Sequence, residues 1–177
     1  MPVSSKNNLV RDACPRDDRE VLVVRRSAPA DADACVAIVL GLPDYFTDDV
    51  PEKVAADLRS HAAWVVTDGD TLVGFAIVDR RSPRAAEILW IAVAAAMRGG
   101  GVGTLLLDQV MRDLADGGLQ LMEVKTLDAS EEYEPYVATR AFWERHGFVQ
   151  IDMIDPLPGW PPGNPAAIYV AALASTR

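Results

Sequence analysis

The chain has 177 residues, 50% of them hydrophobic, with 17 Lys and Arg against 26 Asp and Glu for a formal net charge of −9. That length and apolar content suit one domain with a full core, and the negative charge argues against nucleic acid or anionic lipid as a partner, leaving cationic or neutral ones. Two cysteines, Cys14 in a polar stretch and Cys35 in an apolar one, exclude a disulfide framework and a thiolate metal centre; no metal is expected. No run reaches the roughly 18 apolar residues of a membrane helix, and the polar N-terminus lacks the apolar segment of a signal peptide, so a cytoplasmic protein is expected.

In chain order, residues 1–19 are polar and aperiodic and read as a disordered tail, leaving 20–177 as the domain. Val21 to Arg25 reads as a first strand. Ala34, Cys35, Ile38 and Val39 recur at helical spacing until Gly41 and Pro43 end that helix. A linker carrying Tyr45 and Phe46 leads to a second helix, opened by Pro51 with Asp48 or Asp49 near its cap. Ala63 to Thr67 and Leu72 to Asp79 flank Asp68-Gly69-Asp70 as a hairpin. The apolar run from Glu87 to Val93 is a strand, and Leu105, Leu106, Leu107, Val110, Met111 and Leu114 mark a helix closed by Gly117 and Gly118. Leu121 to Leu127 is a strand, Pro135 to Gly147 bounds a helix, and Phe148 to Met153 and Ala166 to Leu173 are two further strands separated by a proline-rich loop with Trp160. The result is a mixed α/β sheet of about seven strands with about four helices.

Between the strand ending at Val93 and the next helix lies Arg98-Gly99-Gly100-Gly101-Val102-Gly103-Thr104. Strand, glycine-rich turn and helix turn backbone amides and the positive helix end toward an anion, usually phosphate. A dinucleotide loop requires glycine where Thr104 stands, and a Walker A loop requires a lysine that is absent here. The pattern that fits is R-x-x-G-x-G.

This stretch resembles the signature of the GCN5-related N-acetyltransferase (GNAT) superfamily, [QR]-x-x-G-x-[GA] between the fourth strand and third helix. Ala138 to Phe148, ATRAFWERHGF, is similar to the family's fourth-helix pattern, and the order of elements matches from about residue 21 to 173. The resemblance implies a GNAT-like fold and a single-domain, acetyl-CoA-dependent N-acetyltransferase that uses no metal and works by direct transfer in a ternary complex. The acceptor it implies is a primary amine on a small molecule or peptide. A homodimer through the C-terminal strands is also a family habit.

The residues carried over are these. Arg98, Gly99, Gly100, Gly101, Val102, Gly103 and Thr104 would hold the pyrophosphate of coenzyme A, while the backbone of Ile91, Ala92 and Val93 would pair with its pantetheine arm and the Val93 amide would donate to the thioester oxygen. Glu87 matches the general base of related histone acetyltransferases, and desolvation at the start of an apolar strand would tune it for proton uptake; otherwise it is a solvent-facing or substrate-ordering residue. Tyr45, Phe46 and Trp160, with Glu87, would border the acceptor, or else Tyr45 and Phe46 plug the core and Trp160 packs on the surface. Trp143 stands where the family often has the tyrosine that protonates the leaving thiolate, and an indole N–H donates a hydrogen bond but no proton. That departure motivates the alternative of a domain that binds acyl-CoA without catalysis. His61 and His146 are read as helix-end residues that pair with carbonyls, and Met111, Met122 and Met153 as core filler.

Overall fold

The computed structural model describes residues 22–174; the expected tail, Cys14 and Val21 lie outside them. Strands β1 (Leu22–Arg26), β2 (Ala62–Asp68), β3 (Thr71–Asp79), β4 (Ala85–Val93), β5 (Leu121–Leu127), β6 (Val149–Ile154) and β7 (Ala166–Ala172) form one sheet in the order β1-β2-β3-β4-β5-β7-β6. Helices α1 (Ala32–Leu40), α2 (Val50–Ser60), α3 (Val102–Asp116) and α4 (Pro135–Arg145) complete the expected order of elements. This is the fold class anticipated, a mixed sheet with helices on both faces. Every strand pair is antiparallel except β4–β5, which the α3 crossover makes parallel.

Strand alternation divides the core. Trp64, Val66, Val110, Leu106 and Leu107 form one cluster with α3, and Val65, Phe75 and Ile77 form the other with Cys35, Val39 and Val54 from α1 and α2. Trp64 is anchored by its Nε1–H, which donates to Asp113 Oδ2 at 2.6 Å.

Two features of β4 position the site. Its register to β3 slips between Ile77–Trp90 and Val78–Ile88, leaving Leu89 as a bulge. The slip breaks the alternation: Ile88 and Ile91 face the α3 cluster, whereas Leu89 and Trp90 both pack toward α1 and α2. Its pairing with β5 runs only from Ala85–Leu121 to Ile88–Val124, although β4 continues to Val93 and β5 to Leu127. The two strands therefore part after Ile88.

Several sequence expectations need correction. Glu87 is the third residue of β4 and not its opening one, because Ala85 and Ala86 already pair with Leu121 and Met122. Met153 is 47% exposed on the outer strand β6, beside Val149 and Ile151, so it is not core filler. Asp49 occupies the N-cap position of α2 as expected, but its side chain caps no amide; its carboxylate is engaged by Lys53 and by the Thr47 hydroxyl, which hold it well below the usual carboxylate range, at about 2. His61 faces the carboxylates of Asp57 and Asp79 rather than helix-end carbonyls. His146 does meet the Phe142 carbonyl, at 2.7 Å through Nδ1.

Candidate active site

The gap where β4 leaves β5 opens into a cleft of about 1420 Å³. Every residue expected at the site lines it except Gly100, from Tyr45 and Phe46 through Glu87, Ile91, Ala92 and Val93 to Arg98, the glycine loop, Trp143 and Trp160.

The open edge of β4 follows from hydrogen-bond parity. Ala94 donates to the Val73 carbonyl at 2.8 Å, which makes Val73–Ala94 a bonded pair, and the register places Val93 opposite Gly74 and Ile91 opposite Ala76. Bonded and non-bonded pairs alternate in an antiparallel ladder, so the N–H and C=O of Val93 and Ile91 turn away from β3. On that side β5 has already departed. These peptide groups face the cleft.

The loop beyond β4 is shaped for close approach. Gly99 and Gly101 have φ of 76° and 83°, the left-handed region that costs an L-residue about 1–2 kcal/mol. Gly101 is the N-cap of α3 and no side chain caps the helix; the first intrahelical bond, Leu105 N–H to Gly101 C=O at 2.9 Å, leaves the amides of Val102, Gly103 and Thr104 without intrahelical acceptors. A Cβ on Gly103 would lie 3.4 Å from the Phe142 ring, so a glycine here lets α3 and α4 meet. Thr104 Oγ1 lies 3.1 Å from His146 Nε2 across the same junction. Arg98, which lines the cleft at the glycine loop, holds its guanidinium 4.1 Å over the Tyr45 ring, tying the loop to the linker between α1 and α2.

Glu87 is 6% exposed but is not an isolated carboxylate. Lys125 Nζ lies 2.6 Å from its Oε1 and Arg81 Nε 3.4 Å from its Oε2, while Lys125 also reaches Glu123 Oε1 at 2.8 Å. Burial alone pulls the Lys125 ammonium toward neutrality, but its hydrogen bonds to Glu123 and Glu87 outweigh that and raise its pKa above the usual lysine value. Lys125 was not singled out in the sequence, although alternation in Leu121–Leu127 places Glu123 and Lys125 on one face.

The far wall is aromatic. Phe46 meets Trp90 edge-on at 6.2 Å, and Tyr136 lies between Tyr45 and Tyr133 at 5.6 and 6.0 Å. The Tyr136 hydroxyl donates to the Tyr45 carbonyl at 2.9 Å, and burial, with smaller effects of Tyr133 and Tyr45, pushes its pKa up to about 12. Trp90 Nε1–H donates to Asp57 Oδ2 at 2.7 Å. Trp143 is 2% exposed and packs between Phe142 and Phe148, yet its Nε1–H has no partner among the described residues. A buried donor left so costs about 1–3 kcal/mol until something accepts from it.

A mixed sheet whose fourth and fifth strands part beside a glycine-capped helix defines the class of α/β domain to which the chain belongs. A family model described as an acetyltransferase (GNAT) domain matches residues 59–150, more than half of the chain, and the chain belongs to that family. The fold is shared with a GNAT-family structure from Desulfovibrio desulfuricans, at a TM-score of 0.77 and 23% identity over 87% of this chain and 100% of that one. It is shared too with the ribosomal-protein-S18-alanine N-acetyltransferase of Escherichia coli, at a TM-score of 0.72 and 16% identity over 89% and 97% of the two chains. An aminoglycoside 6′-N-acetyltransferase complexed with coenzyme A aligns at a TM-score of 0.67 and 18% identity, over 88% of this chain and 99% of that one. An uncharacterized protein of Mycobacterium leprae is 36% identical over 117 residues, 62% of this chain and 32% of that protein, so the chain spans about a third of that curated relative's length.

Proposed function

We propose that this domain is an acetyl-CoA-dependent N-acetyltransferase that passes the acetyl group directly to a primary amine in a ternary complex. The observation that carries the reading is the unpaired edge of β4, with the Ile91 and Val93 peptide groups turned into a cleft that ends at the uncapped amides of α3. The donor set fits coenzyme A: peptide groups spaced for an amide-bearing arm, then free amides and a helix N-terminus for a pyrophosphate.

Bound acetyl-CoA supplies an activated thioester and a thiol leaving group. The Val93 amide is then the donor to the thioester oxygen as negative charge develops there. Glu87, ion-paired with Lys125 and Arg81, takes the proton of the incoming ammonium, through a bridging water. Trp143 lines the cleft with an indole N–H that is buried and unpartnered; a small shift on cofactor binding would let it donate to the leaving group, a hydrogen bond rather than a proton transfer. Cys35 takes no part: it is fully buried and burial pushes its thiol up to about 12, leaving no thiolate for an acyl-enzyme. The exposed Val149 and Ile151 of β6 support the homodimer as part of the same reading.

Thiol release from acetyl-CoA with a panel of amines tests it. Glu87→Gln should lower kcat about 100-fold near neutral pH with little change in CoA affinity; an unchanged kcat contradicts the base assignment. Trp143→Phe, which keeps the ring and removes the N–H, should lower kcat per folded molecule, whereas a loss of stability alone would make Trp143 a core residue only. CoA binding without turnover of any amine would favour a binding domain, the reading to which Trp143 itself points.

A further inference from the structure

We infer that the acceptor is a monoamine carried on an aromatic or bulky apolar body, rather than a polyamine or another multiply charged amine; this rests on the acetyl-transfer reading above. Six aromatic side chains from separate parts of the fold line the cleft: Tyr45, Phe46, Trp90, Tyr133, Tyr136 and Trp160. They come from the α1–α2 linker, β4, the approach to α4, α4 itself and the β6–β7 loop. The bulge at Leu89 is what directs Trp90 to this side, and there its edge-on contact with Phe46 makes one wall. The tilted series Tyr45, Tyr136, Tyr133 makes the other, braced by the Tyr136 hydroxyl on the Tyr45 carbonyl. Ring-bearing ligands gain both apolar burial and ring–ring geometry against such walls.

The charges point the same way. A polycation requires several carboxylates free to receive it, because each desolvated ammonium must regain a partner. In this cleft the inner carboxylates are already engaged. Glu87 holds Lys125 and Arg81, and Asp57 accepts from Trp90 Nε1–H and faces His61; at the surface the exposed Asp49 holds Lys53 and the Thr47 hydroxyl. Asp44 and Glu131 line the cleft as exposed carboxylates, where solvent screens their attraction for a cation. An amine arriving there meets Glu87, aromatic surface, and the cations Lys125 on Glu87 and Arg98 over Tyr45, which repel a second ammonium. The cleft thus selects by the body of the amine.

The test pairs binding with turnover on the CoA-bound full chain. Affinities of 2-phenylethylamine, tryptamine, hexylamine, 1,4-diaminobutane and spermidine are measured by calorimetry with CoA present, and kcat/KM by thiol release with acetyl-CoA. The inference expects the two arylalkylamines to bind at least tenfold more tightly than 1,4-diaminobutane and spermidine, with hexylamine between. It also expects Phe46→Ala to weaken the arylalkylamines about tenfold while leaving CoA affinity within twofold. Spermidine binding as well as or better than tryptamine would overturn it, as would failure of every amine to bind the CoA complex. Preferential binding of arylalkylamines with no thiol release would uphold the acceptor class and refute acetyl transfer, so the two failures are distinguishable.

Discussion

Gly101→Ala isolates the backbone geometry of the phosphate loop from every other property of the site. Gly101 sits at φ 83° as the cap of α3, and no heavy atom lies within 4 Å of the Cβ that alanine would add. The substitution therefore meets no clash, and its whole cost is the left-handed backbone, about 1–2 kcal/mol. If the loop keeps its shape, that cost falls on stability, a drop in Tm of about 2–8 °C for a domain of this size. If the loop relaxes instead, the amides of Val102, Gly103 and Thr104 lose their common direction and CoA affinity falls about 5- to 30-fold, since a tenfold change corresponds to about 1.4 kcal/mol. Thermal melting and calorimetric titration with CoA, done on the same preparation, separate the two routes. Gly100→Ala is the control: its φ is not left-handed, its added Cβ would meet only the Met97 carbonyl at 3.5 Å, and Gly100 does not line the cleft. It should change either quantity by less than about twofold or 2 °C. A Gly101→Ala protein with wild-type Tm and CoA affinity, or a Gly100→Ala protein damaged equally, would refute the reasoning.

Removal of one partner from the Glu87–Lys125 pair should cost more than removal of both. Lys125→Met leaves a buried carboxylate with only the longer contact to Arg81, a loss of about 1–3 kcal/mol, and the Glu87→Gln/Lys125→Met double variant should recover part of it in thermal melts; strict additivity would contradict the pairing. Asp128 accepts from the Ser130 amide at 2.9 Å and the Gln150 side chain at 2.8 Å, and the Ser130 bond foremost lowers its pKa below the usual 3.8. Because the folded value is the lower one, its stabilisation is present above about pH 4 and is lost as pH falls through the folded value. Asp128→Asn should therefore cost about 1–2 kcal/mol at pH 7 and almost nothing near pH 2, and an equal cost at both would exclude the linkage. Tyr136→Phe removes the bond to the Tyr45 carbonyl and should raise the acceptor KM several-fold while CoA affinity stays fixed; the reverse split would place Tyr136 on the cofactor side.

The order of elements was legible because each change of hydrophobic period is punctuated: Gly41 and Pro43 after α1, Pro51 into α2, Gly117 and Gly118 after α3, Pro135 into α4. The glycine loop was legible for a related reason. Spacing alone separated it from two other phosphate loops, and positive φ at Gly101 with the close approach of Phe142 at Gly103 gives the physical sense of that spacing. What the sequence hid lies in register and side-chain placement. All residues from Ile88 to Val93 are apolar, so no shift of period marks the bulge at Leu89 that turns Trp90 toward α1 and α2. The cations beside Glu87 come from β5, 38 positions on in the chain, and from the turn before β4, so a carboxylate expected to be desolvated and alone is ion-paired. Arg98 looked like a phosphate ligand from its place in the motif, and its position over Tyr45 depends on a linker whose sequence has no periodicity. For Trp143 the sequence showed the missing hydroxyl, while only packing shows that its N–H is buried without a partner.

The account centres on acetyl-CoA lying along the open edge of β4 and ending at the α3 loop. Titration of the ¹⁵N-labelled protein with acetyl-CoA reads that directly. The largest shifts should fall on the amides of Ile91, Val93, Gly99 and Gly101 to Thr104 and on the Trp143 indole N–H, while the indole N–H signals of Trp64 and Trp90, already bonded to Asp113 and Asp57, stay nearly still. Saturable binding that leaves Val93, the glycine loop and the Trp143 indole unmoved would contradict it.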